Sequence, residues 1–231
     1  MRKRRLFLYF PILAIFLLLG GHYNWVHAAI IATFSKKCSG DLEIDARKNV
    51  KSLFGLVQSR PFFACQQAPI MGRIVDYGTT DFASFMPSII VLGKFGTNIN
   101  VASHEYTHAE LAERTSVLLR TFRIPTWFDE GLAMQLDNRS QYSKTALNTY
   151  LKEGLGQSIN LQKISRPSTF YRPGNLGRLN YAFAKCVVNQ WLKHHGRSEM
   201  LRLIEEIGWT EPFPIETFEK YEDNCLSNTT P

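Results

Sequence analysis

The sequence predicts an α+β fold: a small N-terminal sheet packed on one long motif helix, followed by a mainly helical C-terminal half. Three observations predict it. Two short runs suited to strands, residues 62–65 and 88–92, come before residue 93. Val101, His104, Glu105, His108, Leu111 and Ala112 then recur at i, i+3, i+4 and i+7, the period of a helix with one face in a core. From Thr126 onward, apolar residues keep helical spacing in segments broken by Pro and Gly.

A chain of 231 residues, 45% hydrophobic and 20% charged, suffices for one well-packed domain. Its formal charge of +7 is concentrated at one end. Removing Arg2, Lys3, Arg4 and Arg5 from the 27 basic residues leaves 23 against 20 acidic, a net of +3. That balance excludes a nucleic-acid footprint. The four cations precede an apolar run, Leu6 to Gly21, and the small-residue end Val26-His27-Ala28. Residues 1–28 therefore read as a signal peptide or an N-terminal membrane anchor, with possible membrane attachment through residues 6–21. Residues 29–231 form the exported domain, periplasmic or extracellular. Cys38, Cys65, Cys186 and Cys225 suit an oxidising compartment. Of the three possible connectivities, Cys38–Cys65 with Cys186–Cys225 is favoured, because each bridge ties a chain end to the domain body.

Ser39-Gly40-Asp41 reads as a helix start, and Leu42 to about Val57 as an amphipathic helix. The strands 62–65 and 88–92 follow; an edge strand of such a sheet can lie along a cleft and pair with an extended peptide. Gly93, Gly96, Asn98 and Asn100 supply a turn and candidate N-caps for the motif helix. Thr115 to Arg123 reads as a connector. Pro125 stops it, and Thr126-Trp127-Phe128-Asp129 reads as a capping box opening the next helix. A helix over 143–153, an irregular loop over 166–177 able to wall a cleft, and a long helix from about Leu176 or Leu179 to His195 come next. That long helix is apolar on two sides and should be central to the core; Gly196 ends it. His194 and His195 suit its C-terminal dipole rather than a metal. Two shorter helices, from Ser198 to about Ile207 and over 215–221, complete the chain.

The motif helix contains His104-Glu105-Tyr106-Thr107-His108. Two histidines four apart on one helical face can hold a single zinc ion, with Glu105 placed beside it to take a proton from water. Burying these groups without partners would be costly, and a metal removes the difficulty. A third ligand is needed. Glu130, 22 residues after His108 and on an otherwise apolar helical face with Trp127, Gly131 and Met134, is the candidate. Asp129 ranks second, with a capping role or as a partner of a histidine.

His104 to His108 followed by Trp127-Phe128-Asp129-Glu130-Gly131-Leu132-Ala133 resembles the gluzincin metallopeptidases, more closely the peptidase MA-like group, whose second block has the form Trp-x-x-Glu-Gly-x-Ala. The resemblance is specific over residues 101–136 and looser over 175–222. It implies a zincin-like fold, zinc held by His104, His108 and Glu130, and Glu105 as general base for hydrolysis of a peptide or protein substrate. It also implies a tyrosine that stabilises the oxyanion, with Tyr181 the first candidate and Tyr171 the second. Tyr106 falls on the outer helix face. Thermolysin-like members place an Asp four residues after the ligand Glu, where this chain has Met134. The alternative is a membrane-attached or periplasmic binding module that keeps the fold without proteolysis.

Overall fold

A computed structural model describes residues 24–70, 74–83, 86–156 and 159–227. Residues 1–23, which hold most of the expected leader, lie outside them. The described chain begins in a helix, α1, over residues 24–34. Next come β1 (Lys36–Lys37), α2 (Gly40–Phe54), β2 (Phe62–Cys65), β3 (Gly78–Ala83) and β4 (Met86–Leu92). The motif helix α3 spans Ile99–Thr115, followed by α4 (Val117–Arg123), α5 (Thr126–Ala133) and α6 (Lys144–Lys152). A short α7 (Pro167–Phe170), the long α8 (Gly174–Glu206) and α9 (Glu216–Leu226) close the chain.

The sheet has the order β1-β2-β4-β3, with β2 parallel to β4 and both edge strands antiparallel to their neighbours. Alternation along β2 and β4 divides their side chains between two layers. Phe63, Cys65, Ile90 and Leu92 join the main core with α2 and α3, whereas Ala64, Ile89 and Val91 pack against Ala28, Ile31 and Ala32 of α1. Residues 24–28, assigned by sequence to the end of the leader, thus belong to a packed helix.

Helix α3 starts where expected, because the Asn98 side chain accepts from the N–H groups of Asn100 and Val101. It is buried nearly all round, its polar side included. Ser103 accepts from Asn49 of α2 at 3.0 Å, and the Glu110 carboxylate takes the backbone N–H groups of Gln58 and Ser59, the Ser59 hydroxyl and the Arg114 guanidinium. Every polar group on that side has a partner, which makes its burial tolerable.

Three local expectations are corrected. The stretch 166–177, read as an irregular loop, contains α7 and the first turn of α8. The connector 115–123 contains α4, entered through Ser116 at φ 72°, the one non-glycine with positive φ among the described residues. The capping box at 126–129 does not form. Pro125 occupies the N-cap of α5 with no side-chain bond, and Asp129 points instead at His108 and Arg120, charged or ring partners that hold a carboxylate more strongly than a backbone N–H does.

Helix α5 is seated by an aromatic cluster: Trp127 against Phe218 at 5.0 Å, Phe128 against Phe213 at 4.9 Å and Trp191 against Phe218 at 4.9 Å. Its Gly131 faces α8 so closely that a Cβ would lie 2.7 Å from the Ala184 carbonyl oxygen. Only glycine allows that approach. Gly196, at φ 80°, breaks α8 into two helical segments. The disulfides are Cys38–Cys65 and Cys186–Cys225. Closing loops of 27 and 39 residues, each stabilises the fold by about 3–4 kcal/mol in the chain-entropy account.

Candidate metal centre

Helix α3 presents His104 and His108 one turn apart, each about 5% exposed, and α5 returns Glu130 to the same point. His104 Nε2 lies 3.1 Å from His108 Nε2 and 3.2 Å from Glu130 Oε2; the third edge, His108 Nε2 to Glu130 Oε2, is 3.5 Å. Two ligands on a tetrahedral zinc at about 2.05 Å stand about 3.3 Å apart, so the triangle has the dimensions of three corners of such a site. Glu130 Oε2 is buried without a hydrogen-bond donor. The donor set and the orphaned oxygen fit a zinc ion. Among the described residues this is the one group of three or more His, Cys, Asp or Glu side chains with metal-binding geometry.

Each histidine has an aspartate behind it, and each aspartate an arginine. His108 Nδ1 is 2.7 Å from Asp129 Oδ1, and Arg120 reaches Asp129 Oδ2 at 2.5 Å. With Nδ1–H bonded to Asp129, the neutral His108 ring would present its Nε2 lone pair to the ligand triangle. Behind His104, Asp137 Oδ2 stands 3.9 Å from Nδ1, and Arg139 holds Asp137 through Nε at 2.9 Å and Nη2 at 2.5 Å. Met134 occupies the place where the resembled family carries a supporting Asp, and Asp137 approaches the ring from further along the chain.

These contacts set the local charges. Burial lowers the basicity of His108, but the Asp129 and Glu130 carboxylates outweigh it and bring its pKa up to about 10 in the metal-free site. Burial pushes Glu130 up, and the two histidines outweigh it, holding the carboxyl well below its usual range. Asp129 is likewise lowered, burial being overcome by Arg120 and His108. A metal bound at neutral pH would therefore displace the proton on His108.

Glu105, 8% exposed, sits beside the triangle rather than in it. The Thr80 hydroxyl, on edge strand β3, lies 2.7 Å from Glu105 Oε2 and 2.9 Å from its carbonyl oxygen. Gly78 makes room for the same side chain: a Cβ there would come within 2.8 Å of Glu105 Cγ. The cleft, about 460 Å³, is lined by the four motif and ligand residues, by β3 and by Tyr171 and Tyr181. Larger grooves of about 560 and 640 Å³ lie elsewhere and contain no such cluster, so chemistry rather than size identifies the site.

The tyrosines differ. The Tyr171 hydroxyl donates to Glu130 Oε1 at 2.5 Å, while Tyr181 places its ring 6.3 Å from His104, packed on Phe170 and Tyr142. Burial and then the Glu130 charge push both phenols above their ordinary pKa, so both remain protonated donors. Tyr106 is buried away from the cleft, bonded to the Ser59 carbonyl at 3.2 Å, and His195 stacks on Trp191 and meets Tyr221, remote from the triangle.

The structure thus brings together His104, Glu105, His108, Glu130, Tyr171 and Tyr181. Sequence reasoning missed Thr80, Arg120, Asp137 and Arg139. Asp137 had one usable signal, its position seven residues, two helical turns, after Glu130. Compared with protein-family models, with curated proteins and with solved structures, the chain matches none.

Proposed function

We propose that this protein is an exported zinc-dependent metallopeptidase of the gluzincin type. The observation that carries the reading is the ligand triangle, with edges of 3.1, 3.2 and 3.5 Å, beside a carboxylate that is not part of it. His104, His108 and Glu130 would hold the ion, which when bound supplies Lewis acidity and lowers the pKa of water toward ~7.

The protein's own groups do the rest. Glu105 takes the proton from the attacking water and passes it to the leaving amine. Thr80 bonds to one of its oxygens and fixes the direction from which the other acts. Tyr181 is assigned the developing oxyanion, with Tyr171 second, both being protonated phenols in the cleft. The edge strand β3 runs along the cleft, so its outer backbone groups are available to an extended peptide.

The purified full chain, prepared without chelators, is expected to contain about one zinc per molecule by elemental analysis. Glu105→Gln is expected to keep that metal and lose hydrolysis of a casein or random-peptide substrate by at least ~100-fold. A metal-free wild-type protein would end this reading, and an unchanged rate in Glu105→Gln would remove the assigned base.

A further inference from the structure

The end of the sheet that borders the cleft is also where the leader reaches the domain. Asn24, the first described residue, lines the cleft together with Phe82, Arg120 and Thr121. Trp25 donates its indole N–H to the Pro87 carbonyl at 3.0 Å, and Ala28 is 2% exposed in the layer beneath the sheet. Cleavage after Ala28 would divide this packed helix and discard the Trp25 bond. The fold therefore uses chain on both sides of the expected processing point.

Four large apolar side chains are exposed at that same end: Met86, Leu118, Phe122 and Trp209, at 48, 46, 59 and 57%. Met86 and Leu118 border one groove with Pro87. Leu118 and Phe122 are one turn apart on α4, a helix with no buried residue. Arg123, beside Phe122, donates to the carbonyls of Gly208 and Glu211 and so holds the Trp209 loop against α4. Single exposed apolar residues are ordinary; four gathered on β4, α4 and the loop tied to α4, at the end where Asn24 leads back to a 16-residue apolar run, are not.

We infer that the domain keeps its leader and rests this end on the lipid bilayer, with Met86, Leu118, Phe122 and Trp209 in the interfacial layer and the cleft opening at the membrane surface. The occupant of the patch is the bilayer because a retained apolar run at residues 6–21 would hold the chain to it, and an indole with exposed aliphatic and phenyl groups is the chemistry that layer accepts. Taken with the peptidase reading, on which this last step rests, the substrate class is the juxtamembrane segment of a membrane-anchored protein or peptide. Such segments are held at high effective concentration at the cleft mouth.

The full chain in vesicles of phosphatidylethanolamine and phosphatidylglycerol, with acyl chains brominated near the headgroup, tests the surface. A tryptophan added by Phe122→Trp should lose at least half its emission relative to unbrominated vesicles. One added by Phe95→Trp, beyond the far end of β4 and so roughly 20 Å from Met86 along the strand, should lose none. Trp209→Phe should reduce the quenched fraction of the native emission, a readout that needs no added residue. Equal quenching at 122 and 95, or none at 122, overturns the placement, as does a membrane-extracted protein whose sequence begins at Ala29. For the substrate class, one peptide is offered tethered to a lipid and free in solution. The tethered form should be cut at least ten-fold faster by the wild type and not by Glu105→Gln. Equal rates overturn the substrate class, whereas cleavage of neither form defeats the peptidase reading and leaves the surface to the quenching result.

Discussion

The two histidines of the motif stand one turn apart on one helix, yet the protein supports them unequally. His108 is fixed by a direct 2.7 Å contact to Asp129, which Arg120 grips from behind, its guanidinium lying 4.3 Å over the Phe82 ring. His104 has Asp137 at 3.9 Å, with its Nδ1 making no hydrogen bond. Asp137 is nevertheless wholly buried and held by Arg139, which stacks between Tyr77 and Tyr142. In the proposed site one arm orients a ligand. The other chiefly anchors the turn after α5, with His104 oriented by its place on a buried helix. Identical motif positions thus acquire different duties from what packs behind them.

Breaking the tight arm should have the largest effect. Asp129→Ala leaves Arg120 and His108 without their buried partner, and zinc affinity is expected to fall by about 10–100-fold in a competition titration with a chromophoric chelator. A loss no greater than that of Asp137→Ala would erase the distinction between the arms. Thr80→Val comes next and concerns the proposed base, Glu105, instead of the proposed metal. Removing a hydrogen bond to a charged group costs about 1.5–3 kcal/mol, so kcat should drop by roughly ten-fold or more with zinc content unchanged. Asp137→Ala should change zinc affinity by only a few-fold but lower stability by about 1–3 kcal/mol, because the Arg139 guanidinium loses its partner; thermal unfolding measures it. The smallest effect is expected from Tyr171→Phe: its bond to Glu130 Oε1 exists with and without an ion, so only the difference between the two states is lost and zinc binding should weaken about two- to three-fold, whereas Tyr181→Phe should lower kcat and leave zinc binding intact.

What the sequence made legible divides along the same lines. His104, His108 and Glu130 announce themselves because helical geometry ties spacing to direction, and because a carboxylate on an apolar stripe needs a reason. The Gly131 approach to α8 was legible for a similar reason, as a helix glycine whose cost demands a close neighbour. Strand β3 was not legible. Gly78-Thr79-Thr80-Asp81-Phe82-Ala83 has weak alternation, and it is a strand because it pairs with the β-branched run of β4. Thr80 was hidden with it. Helix α4 was missed although Ser116 caps it, the hydroxyl accepting from the Leu119 N–H at 3.4 Å, because Ser116 also ends α3 and no polar turn separates the two helices. Asp129 was read as a cap or as a partner of a histidine, and the second reading is the one observed: His108 and Arg120, 21 and 9 residues away in sequence, hold it in place of a local backbone bond.

Zinc-edge X-ray absorption on the reconstituted full chain tests the central claim most directly. The account predicts a low-coordinate shell of nitrogen and oxygen at about 2.0–2.1 Å with the outer-shell scattering of two imidazoles, reduced to one in His104→Ala. A sulfur shell near ~2.3 Å, a six-oxygen shell, or a spectrum unchanged by His104→Ala would contradict it.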